Sequence, residues 1–158
     1  MKDDFFENHE LSIWIFFVGI AVIISMMIGG GVTIPLLLFT LEQLIGEFTP
    51  KMYGIHFVLL VITMTLFTVV PSLFIIRGKK ALVKVNKMTI FIQVVIYCFA
   101  LVIYEHEYKY FFLSFVSFPL LALWLMSTPK YRAFVAYHEA LHKDPIGFRQ
   151  KLLDRAIG

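Results

Sequence analysis

Apolar positions in this chain are gathered into four long runs separated by short polar stretches. The first run is free of charge from residue 11 to residue 41, the second covers 54–76, the third 88–104 and the fourth 110–126. A helix rises about 1.5 Å per residue, so about 17–25 apolar residues cross a hydrocarbon core of about 30 Å. The pattern predicts an all-α integral membrane protein. Residues 11–126 form a bundle of four transmembrane helices, residues 1–10 form a solvated N-tail, and residues 127–158 form an amphipathic helical tail.

The first run is too long for one straight span, and it carries Gly29, Gly30 and Gly31 followed by Pro35. A spanning helix over 11–33 and a second short helical piece over 35–45 at the far interface are expected. The glycines read as a site of close helix packing or as a hinge. Residues 46–53 read as a loop. In the second run, Thr63, Thr65, Thr68 and Ser72 can return hydrogen bonds to the backbone, which makes Pro71 tolerable. Pro119 is expected to bend the fourth span. Thr128-Pro129 is a helix start signal, predicting a helix over 129–143. Asp144-Pro145 repeats it, and a second tail helix should run to about residue 156. There Ile146, Leu152 and Leu153 alternate with Arg149, Lys151 and Arg155. That pattern suits a helix on an anionic membrane surface or one folded back under the bundle.

Charge supplies orientation. Arg77, Lys79, Lys80, Lys84 and Lys87 fill the stretch between the second and third runs. With an even number of spans, this stretch shares one side with both tails, and that side holds twelve of the fourteen lysines and arginines. Positive charge is retained in the cytoplasm, so both termini are expected there, in an inner membrane of bacterial type. The net charge of +3 is explained by this arrangement and calls for no nucleic-acid partner. Composition agrees: 59% of residues are hydrophobic and 16% charged, against about 45–50% and 25% in soluble domains. The acidic N-tail and the lack of a small-residue cleavage site predict no cleavable signal. Cys98, the single cysteine, lies in an apolar run and forms no internal disulfide.

Two stretches carry candidate chemistry. Glu105-His106-Glu107-Tyr108 forms the turn opposite the basic stretch and reads as an epitope for an outside partner, or as a solvated turn in an aromatic belt. In the tail, His138-Glu139-Ala140-Leu141-His142 matches H-E-x-x-H on a helix. Histidines at i and i+4 share a face and can grip one zinc ion, while the glutamate can act as base on a bound water. In these five positions the chain resembles the zincin metallopeptidases. That resemblance implies His138 and His142 as ligands and Glu139 as general base. A third ligand is needed; the downstream acids are Asp144 and Asp154, and the N-tail, expected on the same side of the membrane, offers Glu7, His9 and Glu10. The other readings are two surface histidines on an amphipathic helix, with no cofactor, and a metal site without catalysis.

No charged residue or histidine lies deep within a span, which argues against an ion-coupled transporter or a haem site. In size, topology and short outer turns the chain resembles the small inner-membrane immunity proteins against pore-forming bacteriocins. That resemblance implies a non-enzymatic protein that binds another membrane protein or a membrane-inserting toxin and modulates it or protects against it. An accessory subunit of a larger complex, and a homo-oligomer, share these features. The alternatives are the membrane-anchored zinc peptidase and a facilitator of uncharged solutes.

Overall fold

The structure is a computed structural model that describes residues 5, 9 and 11–157; of residues 156 and 157 it describes the backbone alone. All elements among the described residues are helices: α1 (Ile13–Ile45), α2 (Pro50–Ile76), a 3-10 turn (Lys80–Leu82), α3 (Val83–Ile103), α4 (Lys109–Ser114), α5 (Ser117–Ser127), α6 (Pro129–Lys143) and α7 (Pro145–Ile157). Four helical segments are long and apolar enough to cross a membrane, with α4 and α5 together making the fourth. They alternate in direction. Helix α1 is central and touches α2, α3, α5 and α6, while α2 and α5 lie to either side of the α1–α3 contact. The outer surface is largely apolar, with Phe57, Leu66, Phe91, Val102, Phe111 and Trp124 all exposed.

Helix α1 differs from expectation. It is one helix of 33 residues, with no break at the glycines and no separate piece over 35–45. Tertiary packing overrides the weak helix propensity of glycine here. A Cβ at Gly29 would lie 2.8 Å from Cδ of Pro119, and one at Gly30 would lie 2.9 Å from Nε2 of Gln93. The bare backbone thus lets α3 and α5 approach α1 closely. Gly31 faces open space. Pro35 cannot donate to the Gly31 carbonyl. Nearby, the Thr33 hydroxyl donates to the Gly29 carbonyl at 2.7 Å, so the polar groups of this turn stay inside the helix.

Helix α2 also begins earlier than expected. Thr49 caps it, accepting from Met52 N at 3.3 Å, and Pro50 takes the first helical position. It ends in a Schellman turn: Lys79 N donates to Phe74 O and Gly78 N to Ile75 O, both at 2.9 Å. Gly78 takes the left-handed conformation this requires, with φ of 80°. The basic stretch 77–87 is therefore a tight turn running straight into α3.

The fourth span is interrupted rather than smoothly bent. Pro119 lacks the N–H that would reach the Phe115 carbonyl, so Phe118 N takes that carbonyl at 3.1 Å. The helix breaks over Phe115 and Val116, between α4 and α5. The tail helices start as the sequence predicts. Thr128 Oγ1 accepts from Tyr131 N at 3.3 Å, and Asp144 Oδ1 accepts from Gly147 N at 3.0 Å.

Helix α6 is buried on one face by Tyr131, Phe134 and Val135. They join Ile15, Val22 and Met26 of α1 and Ile75 of α2 in the main core, at the end of the bundle that carries the basic turn. Helix α7 docks through Phe148, which is buried with Phe5 and Tyr137. Leu152 packs against this cluster, while Ile146 and Leu153 are exposed. The N-tail, expected to be solvated, has Phe5 buried, with its ring against Tyr137 and Phe148. The remainder of residues 1–10, apart from His9, lies outside the described residues.

Candidate functional site

At the end of the bundle opposite the basic turn, the last turns of α1 stand beyond the apolar core. With the α1–α2 loop and the turn over 104–108 they enclose a cleft of about 730 Å³. One wall is a stack of rings. Phe39 stacks on Tyr104 at 6.1 Å and 15°, and Tyr104 stacks on His106 at 5.8 Å and 7°. Phe112 meets both Phe39 and Tyr104 edge-on, at 6.3 and 6.4 Å. Phe48 lines the loop side, braced from behind by His56 at 5.2 Å and 10°. Edge-to-face and offset pairs of this kind contribute about 0.5–1.5 kcal/mol each beyond burial.

Two polar devices hold the cleft open. Gln43 Nε2 donates to Glu105 O at 2.8 Å, while Glu105 N donates to Gln43 Oε1 at 3.0 Å. This pair of hydrogen bonds clamps the outer turn to α1. Across the cleft, Glu42 Oε1 accepts from Phe48 N at 3.1 Å and shapes the loop, where Gly46 adopts φ of 108°. Glu42 and Glu47 line the cleft, and among the described residues no lysine or arginine does.

Of the outer-turn residues singled out from sequence, His106 and Tyr108 line this cleft. His106 Nδ1 accepts from Tyr108 N at 3.2 Å. Glu105 enters through its backbone alone, and Glu107 is exposed beside it. Sequence reading missed Phe39, Gln43, Phe48 and Phe112. Their one visible signal was Glu42-Gln43, the first polar pair to end a 31-residue uncharged run.

At the basic end, His138, Glu139 and His142 lie on α6, where the turn at Gly78 packs against it. A Cβ at Gly78 would lie 2.9 Å from Cβ of His142 and 3.1 Å from the carbonyl of His138. Glu139 Oε1 holds Lys80 at 3.1 Å and Lys143 at 2.8 Å. This joins α6 to the basic turn. Burial opposes ionisation of Glu139, but the hydrogen bonds and charges of Lys143 and Lys80 outweigh it, so the carboxyl sits below its ordinary range. His142 Nδ1 donates to the His138 carbonyl at 3.0 Å. His138 lies among Phe16, Phe134 and Tyr137, and its Nδ1 is buried without a hydrogen-bond partner among the described residues.

Among the described residues no group of three or more His, Cys, Asp or Glu is placed to hold a metal ion. Asp144 is committed as the cap of α7, and His9 lies against the Phe5 ring at 5.3 Å. Glu7 and Glu10 lie outside the described residues. The five-residue motif here joins α6 to α1 and the basic turn.

Burial first, and the neighbouring His142 second, lower the pKa of His138 below the ordinary value of about 6.5. The folded state therefore binds fewer protons than the unfolded state, and acid favours unfolding. His138 supports docking of α6 above about pH 6.5, and that support is lost as pH falls through the lower folded value. Glu139, also lowered, adds a loss in the same direction below about pH 4.3. Thermal unfolding in non-ionic micelles should show Tm falling as pH drops from 7 to 5. His138→Gln should flatten that part of the curve. An unchanged slope in the variant would assign the titration elsewhere.

Compared with known proteins, the chain matches no family model, no curated protein and no solved structure. Fold and geometry alone define its class: an all-helical protein with four helices of membrane-spanning length and apolarity, bearing an aromatic, acidic cleft at one end.

Proposed function

We propose that this chain is a non-enzymatic integral membrane protein that binds another membrane component through the acidic-end cleft, and modulates it or protects against it. The observation that carries this reading is the cleft itself. It is held by the Gln43–Glu105 clamp and lined by aromatic rings and carboxylates, which suits recognition. The apolar exterior supports residence in a bilayer. The basic turn and the C-terminal helices place eleven of the fourteen lysines and arginines at the other end. The positive-inside rule then puts both termini in the cytoplasm and the cleft outside, in an inner membrane. An immunity-type inhibitor and an accessory subunit are the two finer forms of this function. The role of Glu139 in two ion pairs disfavours its use as a free general base.

Site-specific photocrosslinking in native membranes tests the reading. A benzophenone side chain at position 108 should give one discrete protein adduct. The same group at the exposed positions 57 and 66 of α2 should give none of it. Adduct yield should survive Glu139→Gln within about twofold, because an exposed lysine pair contributes at most about 1 kcal/mol. Equal labelling from all three positions would sink the interaction reading. Biological activity lost in Glu139→Gln, with fold and adduct intact, would restore the peptidase.

A further inference from the structure

The walls of the cleft also define what it takes. We infer that it receives a basic side chain, a lysine ammonium or an arginine guanidinium, from a segment of the membrane partner. This inference rests on the interaction reading above and gives that interface its chemistry.

Three observations carry it. First, aromatic side chains line one space: Tyr104 is stacked between Phe39 and His106, and Tyr108 and Phe48 complete the walls. Aromatic faces attract cations through the ring quadrupole, and the attraction grows as water is excluded. Second, the carboxylates of Glu42 and Glu47 line the same space. Glu42 uses Oε1 to accept from Phe48 N, and an ionised carboxylate has acceptor capacity left for an N–H donor. Third, the whole end is acidic: Glu42, Glu47, Glu105 and Glu107 stand against Lys51 and Lys109. Such a field steers cationic segments toward the cleft.

The same features select against a phospholipid headgroup. A zwitterionic headgroup carries phosphate next to its ammonium. That phosphate would meet Glu42 and Glu47, with no lysine or arginine among the described wall residues to offset it. A basic side chain brings only the cation. The cleft is preformed by the Gln43 clamp and the ring stack, so little ordering is left to oppose binding. Its volume of about 730 Å³ falls within the range of about 300–1,000 Å³ usual for ligand sites, enough for a side chain with its flanking backbone.

The test uses the full chain in dodecyl maltoside micelles and fluorescence anisotropy of a labelled acetyl-Gly-Lys-Gly-Lys-Gly-amide. The lysine peptide should bind about tenfold or more tighter than its norleucine counterpart, and the advantage should shrink with added salt. Glu42→Gln/Glu47→Gln keeps an oxygen for Phe48 N but removes both charges, and should weaken binding about tenfold. Phe48→Leu/Tyr108→Leu should weaken it about threefold, a loss that diffuse charge attraction would not produce. Lysophosphatidylcholine should not displace the peptide. Any of these overturns the inference: no preference over norleucine, either double variant within about 1.5-fold of the parent, or displacement by the lysolipid. If the peptide fails while the position-108 adduct persists, the cation chemistry alone falls. If both fail, the interaction reading falls with it.

Discussion

Gly19→Leu should detach α6 from the bundle and destabilise the protein by about 3–5 kcal/mol, a loss at the basic end matched by removal of the Phe134 ring. The reason is spatial. A Cβ at Gly19 would fall on the ring of Phe134, which touches that position through Cδ2, Cε2 and Cγ. Phe134 cannot step aside cheaply. It is buried, stacked on Tyr131 at 6.1 Å, and met edge-on by His138 at 4.6 Å and by Phe16 at 6.5 Å. Even Gly19→Ala should cost about 1–3 kcal/mol. Phe134→Ala should cost about 3–5 kcal/mol by leaving a cavity. The double variant Gly19→Val/Phe134→Ala refills part of that space, so its loss should fall short of the summed single losses by about 1–3 kcal/mol. Helicity followed through a denaturant titration in micelles gives each value. Strict additivity would show that the two residues do not share this contact.

Why this contact escaped the sequence is clear in physical terms. Gly19 sits alone in an apolar run, and an apolar run far from any partner looks the same whether its exposed face meets lipid or a tail helix. The start of α6 was legible because Thr128-Pro129 encodes capping chemistry locally. Its docking face depends on which residues of α1 lie beside it, which no local signal carries. The same local signal was present at Thr49-Pro50 and marks the true start of α2. There the polar residues around it suggested a longer loop. Four helices and their charge asymmetry were legible because bilayer thickness and loop charge act on composition over long windows.

The cleft was half legible. His106 and Tyr108 were visible because they interrupt two apolar runs. Phe39 and Phe48 were not, since an aromatic residue near the end of an apolar run looks like core or belt. Gln43 was hidden by assigning residues 35–45 to an interfacial piece. In one continuous α1 of about 50 Å, the last turns project past the core, and Gln43 arrives opposite Glu105. Continuity of the helix through Gly29–Gly31 is thus what places the clamp.

That continuity leads to the second large effect, at Gln93. Its amide is fully buried between α1 and α3, with Nε2 donating to Met26 O over a long 3.5 Å. Its Oε1 has no hydrogen-bond partner among the described residues, and lies 3.2 Å from where a Cβ at Gly29 would stand. Gln93→Glu puts a carboxyl in the same volume. That group must either bury a charge or take up a proton, and should cost about 3–5 kcal/mol at neutral pH, less as pH falls. Gln93→Leu removes an unpartnered acceptor and one long bond. Hydrogen bonds between membrane helices average about 0.6 kcal/mol, so the leucine variant should stay within about 1 kcal/mol of the parent. Denaturant titrations at pH 5 and 8 separate the two. If leucine proves as damaging as glutamate, the amide makes a bond that the geometry does not contain. If leucine is tolerated but the position-108 adduct is lost, the amide serves recognition through the packing of α1. The long first helix would then couple its glycine contact to the cleft at its end.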